Sequence, residues 1–476
     1  MAGKFPVIML LICILSAIFM SKLDDYIVSI ALPHIAEQFK VSTSDVSLIT
    51  LVYMLSLTST IIIWGALGDK IGFKKTIISG YILFSISSLL CGLSASIIEL
   101  IIFRFIQGFG ASILLVSSQA MISTYFTGNL KAKAYGLLTL AASVGMTLGP
   151  SLGGIIAEYL SWQWIFYVNV PVGILIVLLS IKYIPELPVN KVENTQPAKK
   201  FDFTGSFLIF MTLASIVFTL NKGQELGWTS LAIIVSICLS ILFLTAFLIA
   251  EKKHPYPLID FGLLKNIHFT YAVLSAFLSF ILIGGNLFLM PFYLTIVCSL
   301  NYVSAGLVMT VYPAFFMVSS LINIRIIDKF TSRFLCTGAM IITLCSWTLF
   351  TMTLHEGKIL HVIIFLALTG TGLGFFFAPN TRYAMDLVTS DKAGLASGIY
   401  RTLNNFGMIL GISIFETVYS VIIPHDHHIK NTSSLLMHHL PGLQITGFQY
   451  AYLVGTFLCL IALILIIINQ ENNNCS

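Results

Sequence analysis

Long stretches without a single Asp, Glu, Lys or Arg recur along the whole chain. They cover residues 46–68, 76–98, 105–130, 134–157, 159–181, 203–221, 226–250, 266–324, 334–355, 359–381 and 448–469. A further block within 395–423 is interrupted only by Arg401 and Glu416, and the first block runs roughly from 6 to 30. A helix needs ~20 mostly apolar residues to cross the hydrocarbon core of a bilayer. The 266–324 run is long enough for two such helices, with a short turn near 299–302. The count is then fourteen. Segments of this length satisfy their backbone in lipid as helices, so the pattern predicts an all-α integral membrane protein with 14 transmembrane helices.

Composition agrees. Of 476 residues 57% are hydrophobic and 9% charged, against about 25% charged in a soluble domain. A net charge of +5 would permit nucleic-acid binding, but the basic residues sit in short loops between apolar blocks, which argues against that partner. The eight cysteines are scattered, mostly inside apolar blocks such as Cys13, Cys238 and Cys459, with no CxxC pair. Packing is their default role. A cleaved leader needs a small-residue site after a short apolar run. Here the first run continues past Met20 to Asp24 and Asp25, so it is read as a retained span.

The loops test the count. With the N-terminus in the cytoplasm, the inner ends hold Lys4, Lys70, Lys74, Lys75, Lys131, Lys133, Lys182, Lys191, Lys199, Lys200, Lys252, Lys253, Lys265, Arg325, Lys329, Arg333, Arg382 and Lys392. The outer loops hold Lys40, Lys222, Lys358 and Lys430, and Lys22, Arg104 and Arg401 fall within spans. Basic residues concentrate on the cytoplasmic side of membrane proteins. A missed span would reverse every side beyond it, so both termini are expected in the cytoplasm.

Three loops stand apart. Residues 185–201 form a polar, proline-containing linker, and 252–265 carries Pro255 and Pro257. The outer loop 424–447 holds His425, His427, His428, His438 and His439. A His-rich tract can bind metal, but the spacing is irregular and only Asp426 joins it, so no metal site is expected.

Ionisable groups at membrane depth are costly and default to functional candidates. Asp24 and Asp25 lie in the first span, about 100° apart on a helix. Lys22, three residues before Asp25, is placed to pair with it, which leaves Asp24 as the titrating group. Burial and a neighbouring like charge both disfavour the ionised form of a carboxyl group; the alternative is a capping acid at the outer surface. Arg104, near the outer end of the fourth span, comes to a depth comparable to Asp24. It should face protein or water, paired with Asp24 or with backbone carbonyls. Glu416, near the outer end of the thirteenth span, is either a second protonation site or an acid that reaches the interface. Arg401 can snorkel to the cytoplasm.

Three glycine-bearing motifs complete the reading. Residues 65–75, GALGDKIGFKK, predict a tight cytoplasmic turn, with Gly65 and Gly72 permitting close approach and Asp69, Lys70 and Lys74 available for pairing. Residues 104–111, RFIQGFGA, set small residues three or four apart. Residues 145–154, GMTLGPSLGG, put Gly145, Gly149 and Gly153 on one helical stripe beside Pro150 and Gly154. Such stripes let helices pack closely in lipid, and Pro150 removes a backbone donor and should kink its helix.

Together these motifs resemble those of the major facilitator superfamily, and more narrowly its fourteen-span drug:proton antiporter family. The 65–75 stretch is similar to the loop motif between spans two and three, with Phe73 where a basic residue is usual. The 104–111 and 145–154 stretches are similar to the fourth-span and antiporter motifs. Residues 23–33, LDDYIVSIALP, resemble the first-span signature, with Tyr26 and Ser29 replacing the usual threonine and asparagine. Residues 162–173, WQWIFYVNVPVG, resemble the sixth-span signature. Likeness continues at 257–260, 370–379 and 396–398 and covers essentially the whole chain. Asp328, Lys329 and Arg333 look like a worn second copy of the Asp69 loop.

The resemblance implies two six-helix bundles, 1–184 and 266–476, with spans seven and eight in 185–265 between them. It implies proton coupling through the positions of Asp24 and Arg104, with Asp25 and Glu416 as further candidates, gating at Asp69, and export through the Gly145–Gly154 helix. The expected function is proton-coupled antiport that exports small lipophilic or cationic compounds such as drugs, dyes and antiseptics from the cytoplasm by alternating access. The expected setting is the cytoplasmic membrane, as a monomer, with no cofactor beyond the proton gradient. An acid in the tenth span, which helps some members select divalent cations, is absent from 302–324. The alternatives are export of a dedicated metabolite, peptide or lipid, or a membrane-embedded enzyme, for which only the outer histidines offer material.

Overall fold

A computed structural model describes residues 4–186, 203–253, 261–389, 392–422 and 434–469. Among them no strand occurs. The helices are α1 (Lys4–Phe39), α2 (Thr43–Ile71), α3 (Phe73–Leu93), α4 (Ile97–Tyr125), α5 (Gly128–Tyr159), α6 (Gln163–Tyr167), α7 (Asn169–Tyr183), α8 (Phe203–Leu226), α9 (Leu231–Lys253), α10 (Phe261–Leu264), α11 (Ile267–Ile296), α12 (Tyr302–Ile326), α13 (Ser332–Thr353), α14 (Ile359–Asp386), α15 (Ala393–Ile422) and α16 (Ser434–Ile468). Fourteen spans are long and apolar enough to cross a membrane, α6 and α7 together making the sixth. The protein is thus a multi-pass membrane protein. The 266–324 run divides as expected, and Ser299 turns the chain between α11 and α12 with φ 51°. Most of the linker 185–201, the prolines at 255 and 257, and the stretch 423–433 of the histidine-bearing loop lie outside the described residues. His438 and His439 fall in α16, but their side chains also lie outside them.

Local chemistry sets the helix ends. Ser42, Asn301 and Thr331 accept from the first-turn amides of α2, α12 and α13. At α4, Ser96 accepts from the Glu99 amide at 3.2 Å while the Glu99 carboxylate accepts from the Ala95 amide at 2.8 Å. These side chains satisfy donors that a helix start leaves open. Gly72 joins α2 to α3 with φ 95°, a conformation that L side chains rarely adopt.

The chain clusters into two compact units. Unit 1 holds residues 1–214 and 241–257, and unit 2 holds 215–240 and 258–476. The division runs through the middle of α8 and α9. Within unit 1, Phe210 of α8 lies against Phe105 of α4, with ring centroids 6.1 Å apart. Within unit 2, Thr417 of α15 donates to the Leu220 carbonyl of α8 at 2.9 Å.

One packing scheme appears twice. In unit 1 the largest helix contacts are α1 on α5, α2 on α4 and α3 on α4; in unit 2 they are α11 on α15, α12 on α14 and α13 on α14. The glycine stripe of α5 explains the first. A Cβ at Gly145 would meet the Phe19 carbonyl at 2.7 Å, and one at Gly149 would meet Tyr26 Cβ at 2.7 Å. One at Gly153 would meet the Ile27 carbonyl at 2.8 Å. In unit 2, Gly407 and Gly411 of α15 meet the carbonyls of Phe277 and Ile281 of α11 in the same way. Pro150 lies inside α5, which is continuous from Gly128 to Tyr159. Unit 2 is further held by aromatic contacts: Trp347 meets Phe365 edge-on at 5.3 Å, and Phe350 stacks on Phe365 at 4.3 Å.

Gly149→Leu forces α5 off the backbone of α1 and should lower stability by about 1–3 kcal/mol. Gly136→Leu, where a Cβ meets nothing within 4 Å, should leave it unchanged or higher. Thermal unfolding of the two variants in detergent compares them directly.

Candidate functional site

Asp24 is wholly buried in α1. Its carboxylate accepts three hydrogen bonds, from Arg104 Nη1 at 2.5 Å, Gln107 Nε2 at 3.0 Å and Asn169 Nδ2 at 3.0 Å. Arg104 and Gln107 stand three residues apart on α4 and so share a face. Asn169 opens α7. Two helices, α4 and α7, therefore converge on one carboxylate of α1.

Arg104 is enclosed as fully. Its Nη1 also donates to Gln107 Oε1 at 2.7 Å, and its Nε donates to the Ile49 carbonyl of α2 at 3.3 Å. The guanidinium lies over the Tyr53 ring, 4.0 Å from the centroid, with the Phe166 ring at 5.7 Å. Aromatic faces attract a cation in this position. Gln107 Nε2 donates further to Ser88 Oγ of α3 at 2.8 Å. The approach of α4 to α2 depends on Gly108, where a Cβ would strike the Tyr53 carbonyl and Ser56 Oγ.

The energetics follow from burial. An isolated charge in a low-dielectric interior is strongly unfavourable, and an ion pair persists there only when its remaining lone pairs and protons are satisfied. Asp24 and Arg104 meet that condition through Gln107, Asn169 and the Ile49 carbonyl. The neighbouring acid is handled differently. Lys22 Nζ pairs with Asp25 Oδ2 at 2.8 Å, the lysine side chain 29% exposed and the aspartate 2%.

The other anticipated residues lie elsewhere. Glu416 sits in α15 of unit 2, wholly buried. Its neighbours cover it although it stands near a helix end. Asp69 and Lys70 fall in the last turn of α2, but their side chains lie outside the described ones. Gly65 and Gly72 bound that turn, and Lys74 approaches Glu186 at 3.8 Å. Gly145, Gly149, Pro150, Gly153 and Gly154 are buried on α5. In unit 2, Asp328 pairs with Arg382 of α14 at 2.6 Å. A small hollow of about 20 Å³ there is lined by Ser275, Arg333, Cys336, Asn380, Tyr383 and Asn469, among others.

Sequence reasoning did not single out Tyr53, Ser88 or Asn169. Asn169 stood in the quoted 162–173 stretch, and an uncharged amide in an apolar run was its available signal. Tyr53 and Ser88 carry none, since tyrosine and serine are common in these spans.

The family description "Major Facilitator Superfamily" matches residues 14–412. The chain belongs to this family. Among curated relatives, the riboflavin transporter RibZ of Clostridioides difficile is 31% identical over 463 residues, covering 96% of each chain. Multidrug resistance protein 3 of Bacillus subtilis is 31% identical over 425 residues, covering 87% of this chain and 79% of the relative. The multidrug resistance protein Stp of Mycobacterium tuberculosis is 29% identical, covering 84% and 74%. Among solved structures, a bacterial homolog of the human lysosomal transporter Spinster, inward-facing and occupied, superposes with TM-score 0.70 at 15% identity, over 97% of this chain and 96% of that one. The fold is that of a major facilitator transporter.

Removing one partner of a buried pair leaves the other charge uncompensated, at a cost of about 3–5 kcal/mol. Arg104→Met should therefore destabilise the protein by that order. Adding Asp24→Asn should recover most of the loss. Apparent unfolding free energies of the two single variants and the double variant would show the coupling.

Proposed function

We propose that this transporter is a proton-coupled antiporter that exports small lipophilic compounds across the cytoplasmic membrane by alternating access, with both termini in the cytoplasm. The observation that carries the reading is the buried carboxylate of Asp24, clamped to Arg104 from another helix. A proton delivered to Asp24 removes the charge that holds Arg104. The guanidinium then keeps only Gln107, the Ile49 carbonyl and the Tyr53 ring, and the tie between α1 and α4 weakens. Coupling requires that proton and cargo bias the same equilibrium between states. A tie that exists in only one protonation state supplies such a bias. The glycine contact between α5 and α1 supports the reading, because it places the antiporter-like stripe against the helix that carries the carboxylate. Relatives named as multidrug resistance proteins support lipophilic drugs and dyes as cargo.

The second reading is transport of a dedicated metabolite on the same scaffold. It is favoured by the riboflavin transporter relative, which matches this chain end to end, whereas the named drug-resistance relatives extend beyond the match.

Proteoliposomes with an imposed pH gradient test the coupling. Wild-type protein should accumulate a dye or drug against its gradient, and Asp24→Asn should abolish this while still exchanging cargo at equal pH. Accumulation that survives in Asp24→Asn would end the assignment of Asp24 as the coupling group. Drug susceptibility and riboflavin flux in cells with and without the gene separate the two readings of cargo.

A further inference from the structure

The corner between α12 and α13 in unit 2 carries three cations. Arg325 stands in the last turn of α12, Lys329 in the connecting turn and Arg333 in the first turn of α13. Arg325 and Lys329 are exposed and Arg333 is half-buried. The nearby acids are already committed: Asp328 pairs with Arg382 of α14 at 2.6 Å, and Asp386 approaches the same guanidinium at 3.9 Å. Among the described residues no carboxylate pairs with Arg325, Lys329 or Arg333. Arg333 is nonetheless held in place. Its Nη2 donates to the Ile467 carbonyl at the end of α16 at 2.8 Å, while Nη1 and Nε have no partner among the described residues.

The same corner presents apolar surface. Phe330 and Phe334 stack with ring centroids 5.4 Å apart, and both are exposed. Ile467, whose carbonyl Arg333 holds, and its neighbour Ile468 are exposed as well. Behind Arg333 the polar groups answer one another. Tyr383 donates to Asn469 Oδ1 at 3.1 Å, Asn469 Nδ2 to the His268 carbonyl at 3.1 Å, and Asn380 Nδ2 to the Tyr400 hydroxyl at 3.0 Å. The hollow among them, of about 20 Å³, has room for about one water molecule. A larger ligand therefore meets Arg333 from outside, where its open donors and the exposed phenyl rings lie.

We propose that Arg325, Lys329 and Arg333, with the exposed apolar residues beside them, bind an anionic phospholipid of the cytoplasmic leaflet. From the function proposed above the inference takes only the orientation, which puts this corner at the inner surface; it needs neither proton coupling nor any particular cargo. Charge selects the headgroup. A guanidinium presents its donors as a planar fork that matches two phosphate oxygens, and Arg333 has such donors free. Lys329 and Arg325 add attraction that a zwitterionic headgroup offsets with its own cation. Basic clusters at the cytoplasmic ends of spans hold anionic lipid headgroups in this way. The apolar surface selects a lipid over free phosphate, because Phe330, Phe334, Ile467 and Ile468 offer acyl chains a contact that an inorganic anion cannot use.

Native mass spectrometry of the purified full-length protein in detergent tests this with dioleoylphosphatidylglycerol as the anionic probe and dioleoylphosphatidylcholine as the zwitterionic one. The dissociation constant of the first bound lipid is the readout. The anionic lipid should bind about tenfold more tightly. Lys329→Gln and Arg333→Gln should each weaken it about fivefold, the attraction of one basic residue, and leave the zwitterionic lipid unchanged. Lys75→Gln, which removes an exposed cation from unit 1, should alter neither. Thermal unfolding confirms that the variants are folded. The Lys329 side chain bonds to none of the described residues, so Lys329→Gln decides the matter even if Arg333→Gln unfolds. Equal binding of the two lipids overturns the inference. An equal loss in Lys75→Gln and Lys329→Gln also overturns it, because the attraction is then general to the basic surface. Displacement of the lipid by millimolar inorganic phosphate does so too, since the corner then takes the free anion. None of these outcomes touches the antiport reading, which stands or falls on gradient-driven transport.

Discussion

A charge inside a bilayer must be answered by another charge or by a full set of hydrogen bonds, and the arrangement of unit 1 is organised around that requirement at Asp24 and Arg104. The carboxylate comes from α1 and the guanidinium from α4, so these helices are tied at one depth. Satisfying the remaining atoms draws in α2 through the Ile49 carbonyl and the Tyr53 ring, α3 through Ser88, and α7 through Asn169. Five helices are thus held in register by one ion pair and its neighbours. The exposed pair between Arg382 and Asp328, with side chains 47% and 79% exposed, illustrates the contrast. An ion pair in water contributes little and constrains little.

Unit 2 repeats the helix packing of unit 1 with different chemistry at its centre. The pairings of α11 with α15, α12 with α14 and α13 with α14 follow those of α1 with α5, α2 with α4 and α3 with α4. Glycines open the same close approach on α15 as on α5. In place of the Asp24 cluster there are neutral polar contacts, such as Tyr452 donating to Asn286 at 3.2 Å, beside an aromatic core around Trp347, Phe350 and Phe365. Internal duplication is common in transporters. Here the shared element is backbone packing, which small residues preserve, while the buried side chains have diverged.

The same physics decides what could be read from the chain alone. The fourteen spans were legible because exclusion of charge from lipid is a one-dimensional rule that needs no knowledge of neighbours. The glycine stripe at 145, 149 and 153 was legible as a close contact, although only the structure shows that its partner is α1. Asp24 and Arg104 announced themselves because charges at depth are rare. Tyr53 and Ser88 did not, because hydroxyls inside spans usually answer to their own helix: Ser59 donates to the Leu55 carbonyl and Ser87 to the Leu83 carbonyl. Whether a serine turns outward to another helix depends on packing that no local pattern encodes. The burial of Glu416 was not legible for a related reason. Counting residues from a helix end gives depth, but burial depends on what stands alongside.

The placement of α1 bears on how one helix can hold two adjacent acids in different surroundings. Asp24 and Asp25 are adjacent in sequence, yet they face different neighbours because a helix turns about 100° per residue. One carboxylate is closed by Arg104, Gln107 and Asn169; the other pairs with Lys22. The Tyr53 ring of α2 lies under the Arg104 guanidinium. Coupling between sites needs a physical element whose equilibrium both can bias. A change at Asp24 that shifts Arg104 would also act on the Tyr53 ring beneath it, and so on α2.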